Sequence, residues 1–221
     1  MLLAANTERN KKVRDEFYRV LDNPKSKMDK DLMPGSWQWA ELSYNIKDSS
    51  TSCPNDCKYC YVRSIDTRFG RDTVVPSIED GLCIDIKRVN KGWSKLARSK
   101  LYMFPSSHDI FMNMVDDYIK VVLKMVKAGH EVLIVSKPKL DVVNKMKDSF
   151  GDIKDKIEFR FSISTDDDNL IKEWEPNAPS FEERLECLKL VYVNGYASSV
   201  SMEPYISDVF SVIEKVEKYV T

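Results

Sequence analysis

Apolar and polar positions repeat along this chain with two periods, and each change of period marks an element. Residues 7–21 set Val13, Phe17 and Leu21 on one helical stripe among charges, which predicts a surface helix. Residues 22–36 contain Pro24, Pro34 and Gly35 and predict a loop. From Trp37 to Ile46 the period is two. Ala40, Leu42, Tyr44 and Ile46 take one face and Glu41, Ser43 and Asn45 the other, as in a strand. Residues 62–100 are less regular: Leu82, Ile84 and Ile86 alternate over a short strand, and Val89, Trp93 and Leu96 have helical spacing. The stretch reads as an excursion between two strands.

Beyond it the order is regular. A strand is expected from Leu101 to Phe104, then a helix over 112–128 with Val115, Ile119, Val122 and Val126 on its stripe and Gly129 as its stop. A buried strand from Glu131 to Ser136 and a helix from Leu140 to Phe150 follow. Over 157–164, Ile157, Phe159, Phe161 and Ile163 alternate with Glu158, Arg160, Ser162 and Ser164. Ser180 caps the next helix, with Glu183 placed to close a capping box. A fifth strand, Ala197 to Glu203, and a helix, Ser207 to Tyr219, complete the pattern. Strands alternating with helices imply βαβ units and a parallel sheet. Ligands of such sheets bind at the carboxyl ends of the strands. Polar groups gather at those ends here: Ser106-Ser107-His108-Asp109, Ser136-Lys137, Ser162-Ile-Ser164-Thr165 and Ser199-Val-Ser201-Met-Glu203.

The 221 residues suit one domain, an N-terminal helix and loop at 1–36 joined to a core at 37–221. A formal net charge of −1 gives no global basic field, although Arg63, Arg68, Arg71, Lys87, Arg88, Lys91, Lys95, Arg98 and Lys100 stud the excursion. That stretch reads either as a phosphate-meeting surface or as an exposed amphipathic helix. No apolar run approaches the ~20 residues of a membrane span. Five cysteines, three of them clustered, with no signal peptide in the sequence, predict a reducing cytoplasm.

The clustered cysteines carry the strongest chemistry. Cys53-Pro-Asn-Asp-Cys57-Lys-Tyr-Cys60 spaces three thiols as Cys-x3-Cys-x2-Cys at the end of the first strand. Structural zinc takes four ligands, and His108, Cys83 or Cys187 are the candidates for a fourth in a zinc-binding interaction module. A [4Fe–4S] cube held by three cysteines leaves one iron open to chelate a small molecule.

This spacing, with Tyr59 before the third cysteine, resembles the signature of the radical S-adenosylmethionine (SAM) enzymes. The chain is similar, from about Trp37 to Asp208, to their spore photoproduct lyase branch and to phage-encoded radical SAM proteins. "VLIVSKP", "FSIST", "EPNAPSFEERLECLKL" and "SVSMEPY" carry the likeness. The resemblance implies a partial (β/α)6 barrel, here short of its sixth strand, whose last edge is left open or covered by a partner. It implies a cytoplasmic enzyme that cleaves SAM reductively to a 5′-deoxyadenosyl radical, with flavodoxin or ferredoxin as electron donor. A nucleobase or nucleic-acid substrate follows from the same analogy; a peptide or small metabolite is the alternative.

Residue by residue, the resemblance places the cluster on Cys53, Cys57 and Cys60, with Tyr59 and Tyr61 beside SAM or the hydrogen-atom path. Lys137 would meet the SAM carboxylate or ribose, and Ser162 or Ser164 would hydrogen-bond SAM. Glu203 would hold substrate or SAM, and Arg184 would support the helix surface. Besides the missing sixth strand, the chain departs from the family twice. Phe104-Pro-Ser-Ser-His108 stands where many members have a glycine-rich segment, and Ser106 stands where the lyases have a hydrogen-donating cysteine. Ser106, His108 and Asp109 are then expected to bind a polar substrate, and repair of the spore photoproduct by the usual route is not expected.

Overall fold

The computed structural model describes residues 40–71, 73–95 and 99–221. The expected helix at 7–21, the loop at 22–36, the start of the first strand at 37–39, and Leu96 and Arg98 lie outside the described residues. Within them the strands are β1 (Leu42–Ser43), β2 (Leu101–Met103), β3 (Glu131–Ser136), β4 (Ile157–Ser162) and β5 (Ala197–Ser201). They form one sheet in sequential order, and every neighbouring pair is parallel. The sheet is open, as a barrel lacking its last strand requires. Thr221 reaches β5, where its N–H donates to the Ser198 carbonyl at 3.0 Å.

The helices are α1 (Tyr61–Arg68), α2 (Ile86–Asn90), α3 (Val115–Lys127), α4 (Leu140–Ser149), α5 (Asp168–Trp174), α6 (Phe181–Val193) and α7 (Val209–Val216). The core forms where apolar stripes of α3, α4 and α6 meet one face of β3 and β4. Ile157, Phe159 and Phe161 are buried there, while Glu158, Arg160 and Ser162 alternate onto the other face. On that second face Arg160 Nε donates to Ser199 Oγ of β5 at 2.8 Å, so the concave side of β4 and β5 is polar. α3 ends at Gly129, whose φ of +87° is the left-handed conformation a helix stop favours.

Several elements differ from the sequence expectation. β1 pairs over two residues only, although Tyr44 N–H still donates to the Met103 carbonyl at 3.0 Å. Leu42, expected on the buried face, is exposed. The strand expected at 82–86 reduces to one antiparallel bridge, Ile84 with Lys47. α2 is five residues long, capped by the Asp85 carboxylate, so the basic stretch is no long amphipathic helix. The periodic reading missed α1 and α5, because each buries a single side chain and shows no stripe. The β5 ladder stops at Ser201, short of Glu203. The Ser180 cap is formed, but Glu183 Oε1 accepts from Leu140 N–H at 3.0 Å instead of closing a box. No helix among the described residues is long and apolar enough to cross a membrane.

Phe159 has no exposure and packs against Phe161 and Tyr196, with ring centroids 5.8 and 5.2 Å away. Phe159→Ala should lower unfolding free energy by about 3–5 kcal/mol. Val193→Ala, at an exposed position, should stay within about 0.5 kcal/mol. Urea denaturation of the two variants checks the contrast.

Candidate functional site

A cavity of about 560 Å³ opens at the carboxyl ends of the strands, a volume suited to a small-molecule ligand. Each strand contributes a residue at or near its end: Ser43, Met103, Val135, Ser162 and Ser201. The cysteine loop and the Pro105–Asp109 turn form much of the remaining wall. Eleven of the twelve expected site residues line it: Cys53, Cys57, Tyr59, Cys60, Tyr61, Ser106, His108, Asp109, Lys137, Ser162 and Glu203. The exception is Ser164, which is buried and donates to Glu175 Oε1 at 3.1 Å.

The cysteine loop is held from two sides. On one side the buried Asp109 carboxylate accepts from Asn55 Nδ2 (2.8 Å), Ser136 Oγ (2.5 Å), Lys137 N–H (2.8 Å) and Ile110 N–H (2.8 Å). Burial pushes its pKa up against these bonds, which favour the charged form. Protein donors therefore occupy a carboxyl group that was expected to face substrate. On the other side the α5–α6 connection meets the loop. Lys58 N–H donates to the Trp174 carbonyl at 2.9 Å, Asn177 Nδ2 donates to the Pro54 carbonyl at 2.9 Å, and Tyr59 OH donates to Glu175.

Burial pushes Cys53 up to about 12. Burial also pushes Cys57 up to about 11, against the pull of Lys137. Both are thiols at neutral pH, so loading a metal centre on them must displace protons. Among the described residues no three Cys, His, Asp or Glu side chains converge closely enough to hold one metal ion. Of the proposed fourth ligands, Cys187 is buried in the α6 core, Cys83 is exposed, and both His108 ring nitrogens are engaged, by Ser107 Oγ at 3.0 Å and by Tyr118 OH.

Two cations line the cavity: Arg63, which is paired with Asp56, and Lys137. Burial acts to lower the Lys137 pKa, but the groups around it more than reverse this; at neutral pH, where Cys57 and Tyr59 keep their protons, the Glu175 and Asp109 carboxylates are the anions that hold the ammonium. Tyr61 begins α1, and its hydroxyl donates to the Ser106 carbonyl at 2.6 Å. Ser106 is fixed by Asn45, which donates to Oγ and accepts from the Ser106 N–H, both at 2.8 Å. Glu203 lines the mouth and is exposed. Arg184, expected on the helix surface, is fully buried and pairs with Glu175 at 2.5 Å. Asn45, Asn55 and Glu175 were not singled out from the sequence. Arg184 had a visible signal, because it interrupts the apolar Phe181–Leu185–Leu188 stripe at helical spacing. Several basic residues of the excursion are paired: Arg63 with Asp56, Arg71 with Asp66, Arg88 with Asp85 and Lys100 with Glu41.

The open parallel sheet, with polar groups at its carboxyl ends, has the fold of a solved lyase. The particular likeness is to spore photoproduct lyase. A cysteine-to-alanine mutant of that enzyme, solved with dinucleoside spore photoproduct, superposes with a TM-score of 0.52 at 18% identity, over 96% of this chain and 70% of the other. A tyrosine-to-phenylalanine mutant gives 0.51 at 17%, with the same coverage. No family model matches the chain. An uncharacterized protein of Methanocaldococcus jannaschii is 29% identical over 164 residues, 72% of this chain and 60% of its own length. An uncharacterized protein of Acidianus two-tailed virus is 28% identical over 161 residues, 69% of this chain and 52% of its own length. The chain thus spans between half and two thirds of these curated relatives.

His108 supplies a pH dependence. Burial, then the nearby Lys47 and Arg88 charges, lower its pKa to about 3 from an ordinary 6.5. Between those values the unfolded chain binds a proton that the folded chain refuses. The His108 contribution is therefore complete above about pH 6.5 and is lost toward pH 3, at up to about 1.4 kcal/mol per pH unit. His108→Gln should flatten this part of the stability profile, measured by urea denaturation between about pH 7 and pH 4.

Proposed function

We propose that this protein is a radical SAM enzyme whose [4Fe–4S] cluster is held by Cys53, Cys57 and Cys60. One observation carries the reading: three thiols of one loop and the buried Lys137 ammonium line a single cavity at the carboxyl ends of a parallel sheet with the spore photoproduct lyase fold. The donor set suits the cluster, because three thiols of one loop line one cavity and would leave the fourth iron open to a ligand. The buried Asn55 Oδ1 of the same loop has no partner among the described residues. The zinc alternative gains little from the placement of His108, Cys83 and Cys187.

When bound, the reduced cluster supplies the electron that cleaves the C–S bond of SAM. The chain's own residues bind and orient. Lys137 offers a cation to the SAM carboxylate, Ser162 a hydroxyl to its polar groups, and Tyr59 and Tyr61 wall the approach to its 5′ carbon. Asp109 keeps the loop and Lys137 in register. Glu203 and Ser106 face the side from which substrate enters. A reduced flavodoxin or ferredoxin fits the need for a one-electron donor.

The substrate reading is a nucleobase or nucleotide. Its support is the fold likeness to an enzyme solved with a dinucleoside photoproduct. Repair by the usual lyase route is not expected. That route quenches a thymine radical with a weak S–H bond, and the hydroxyl at the corresponding Ser106 has a much stronger O–H bond.

Anaerobic reconstitution should yield about four irons and four sulfides per chain. Ala at Cys53, Cys57 or Cys60 should abolish them, and Ala at Cys83 or Cys187 should not. With dithionite the loaded protein should release 5′-deoxyadenosine and methionine from SAM. Lys137→Ala should weaken SAM binding by ~1–3 kcal/mol. Full iron content in Cys57→Ala would overturn the cluster assignment. Thymine release from a spore-photoproduct dinucleotide that survives Cys83→Ser would overturn the Ser106 argument.

A further inference from the structure

Glu175 lies just after α5 with no solvent exposure, and it does not line the cavity. Its carboxylate nevertheless gathers groups from four places. Oε2 accepts from Arg184 Nη2 of α6 at 2.5 Å. Oε1 accepts from Tyr59 OH of the cysteine loop and from Ser164 Oγ beyond β4, at 3.1 Å for the latter. Lys137 Nζ, just past β3, lies 3.8 Å from the same oxygen.

An ion pair that served only the core would need Arg184 alone. Arg184 is turned inward: Nε donates to the Pro179 carbonyl at 2.9 Å and Nη1 to the Ser162 carbonyl at 3.1 Å, and the side chain is fully buried away from the cavity. It works as a brace. Lys137 differs. At 3.8 Å it is attracted by Glu175 without being hydrogen-bonded to it, and among the described residues its ammonium makes no hydrogen bond. It faces the cavity with its donors available and sits 5.5 Å from the centre of the Tyr59 ring. The anion behind it fixes its direction, while the distance leaves its N–H groups for another acceptor.

We propose that Glu175, braced by Arg184, is a positioning residue that aims the Lys137 ammonium and the Tyr59 ring at the amino-acid end of the cofactor. The proposal rests on the radical SAM reading. It makes Glu175 specific for one part of the ligand. The carboxylate of SAM should feel its loss, and the adenosine part should not.

The test compares wild type with Glu175→Gln and with the double variant Glu175→Gln/Arg184→Met. The double variant removes both buried charges together, so that neither is left uncompensated. Each protein is reconstituted anaerobically, its iron content is measured, and equilibrium dialysis gives affinities for SAM and for 5′-methylthioadenosine, which lacks the amino-acid end. The expected result is wild-type iron content, at least a ten-fold loss of SAM affinity, and unchanged 5′-methylthioadenosine affinity in the double variant. Glu175→Asp should recover part of the loss. Unchanged SAM affinity, or equal weakening of both ligands, overturns the proposal, as does failure of both Gln-containing variants to fold, which would make the pair a core element only. Wild-type protein that loads iron but binds neither ligand overturns the SAM reading itself, and the proposal with it.

Discussion

A single buried carboxylate ties the cysteine loop to the sheet. Asp109 is buried, and four donors from the loop, the Asp109–Ile110 turn and the end of β3 converge on it. A loop of polar residues has no apolar face with which to dock itself. Its place must come from hydrogen bonds, and bonds to a charged acceptor in a low-dielectric setting are the strong ones. The same oxygen that receives Asn55 also receives the Lys137 N–H, so the cysteine loop and Lys137 share one reference point. Glu175 repeats the arrangement on the far side with Tyr59 and Lys137.

Much of the fold was legible because a parallel sheet covered by helices writes its pattern plainly. β3 and β4 bury alternate or continuous runs, and α3 and α6 bury stripes. The failures share one cause. α1 buries only Asp66, which Arg71 pairs at 3.2 Å, and α5 buries only Ile171. Helices held by polar contacts leave no periodic trace. The basic excursion misled for a similar reason: charges at helical spacing read as one exposed helix, whereas local pairs and caps fold them into short turns.

The site was legible wherever topology predicts it. Polar groups at strand ends must converge when the strands are parallel, and Ser106, Asp109, Ser136, Lys137, Ser162 and Ser201 do line one cavity. Ser164 escapes because the backbone past Ser162 leaves the ladder, and its hydroxyl turns to Glu175. Glu175 opens one of the segments that carry the family likeness, yet nothing local marked it as a buried anion. It sits in a polar connection, and its partners come from positions 59, 137, 164 and 184, which no local window joins. Only an arginine on an apolar stripe hinted that a buried anion had to exist, since an unpaired buried guanidinium is too costly to keep.

The charges of the site close on themselves. Asp109 and Glu175 supply two buried anions, and Lys137 and Arg184 two cations. With Cys53 and Cys57 held as thiols by burial, the unloaded site is close to neutral. A metal centre that took these thiols as thiolates would displace their protons and bring positive charge of its own. Lys137, which feels both Cys57 and Glu175 and lines the cavity, would then be the buried cation left to meet an anionic ligand.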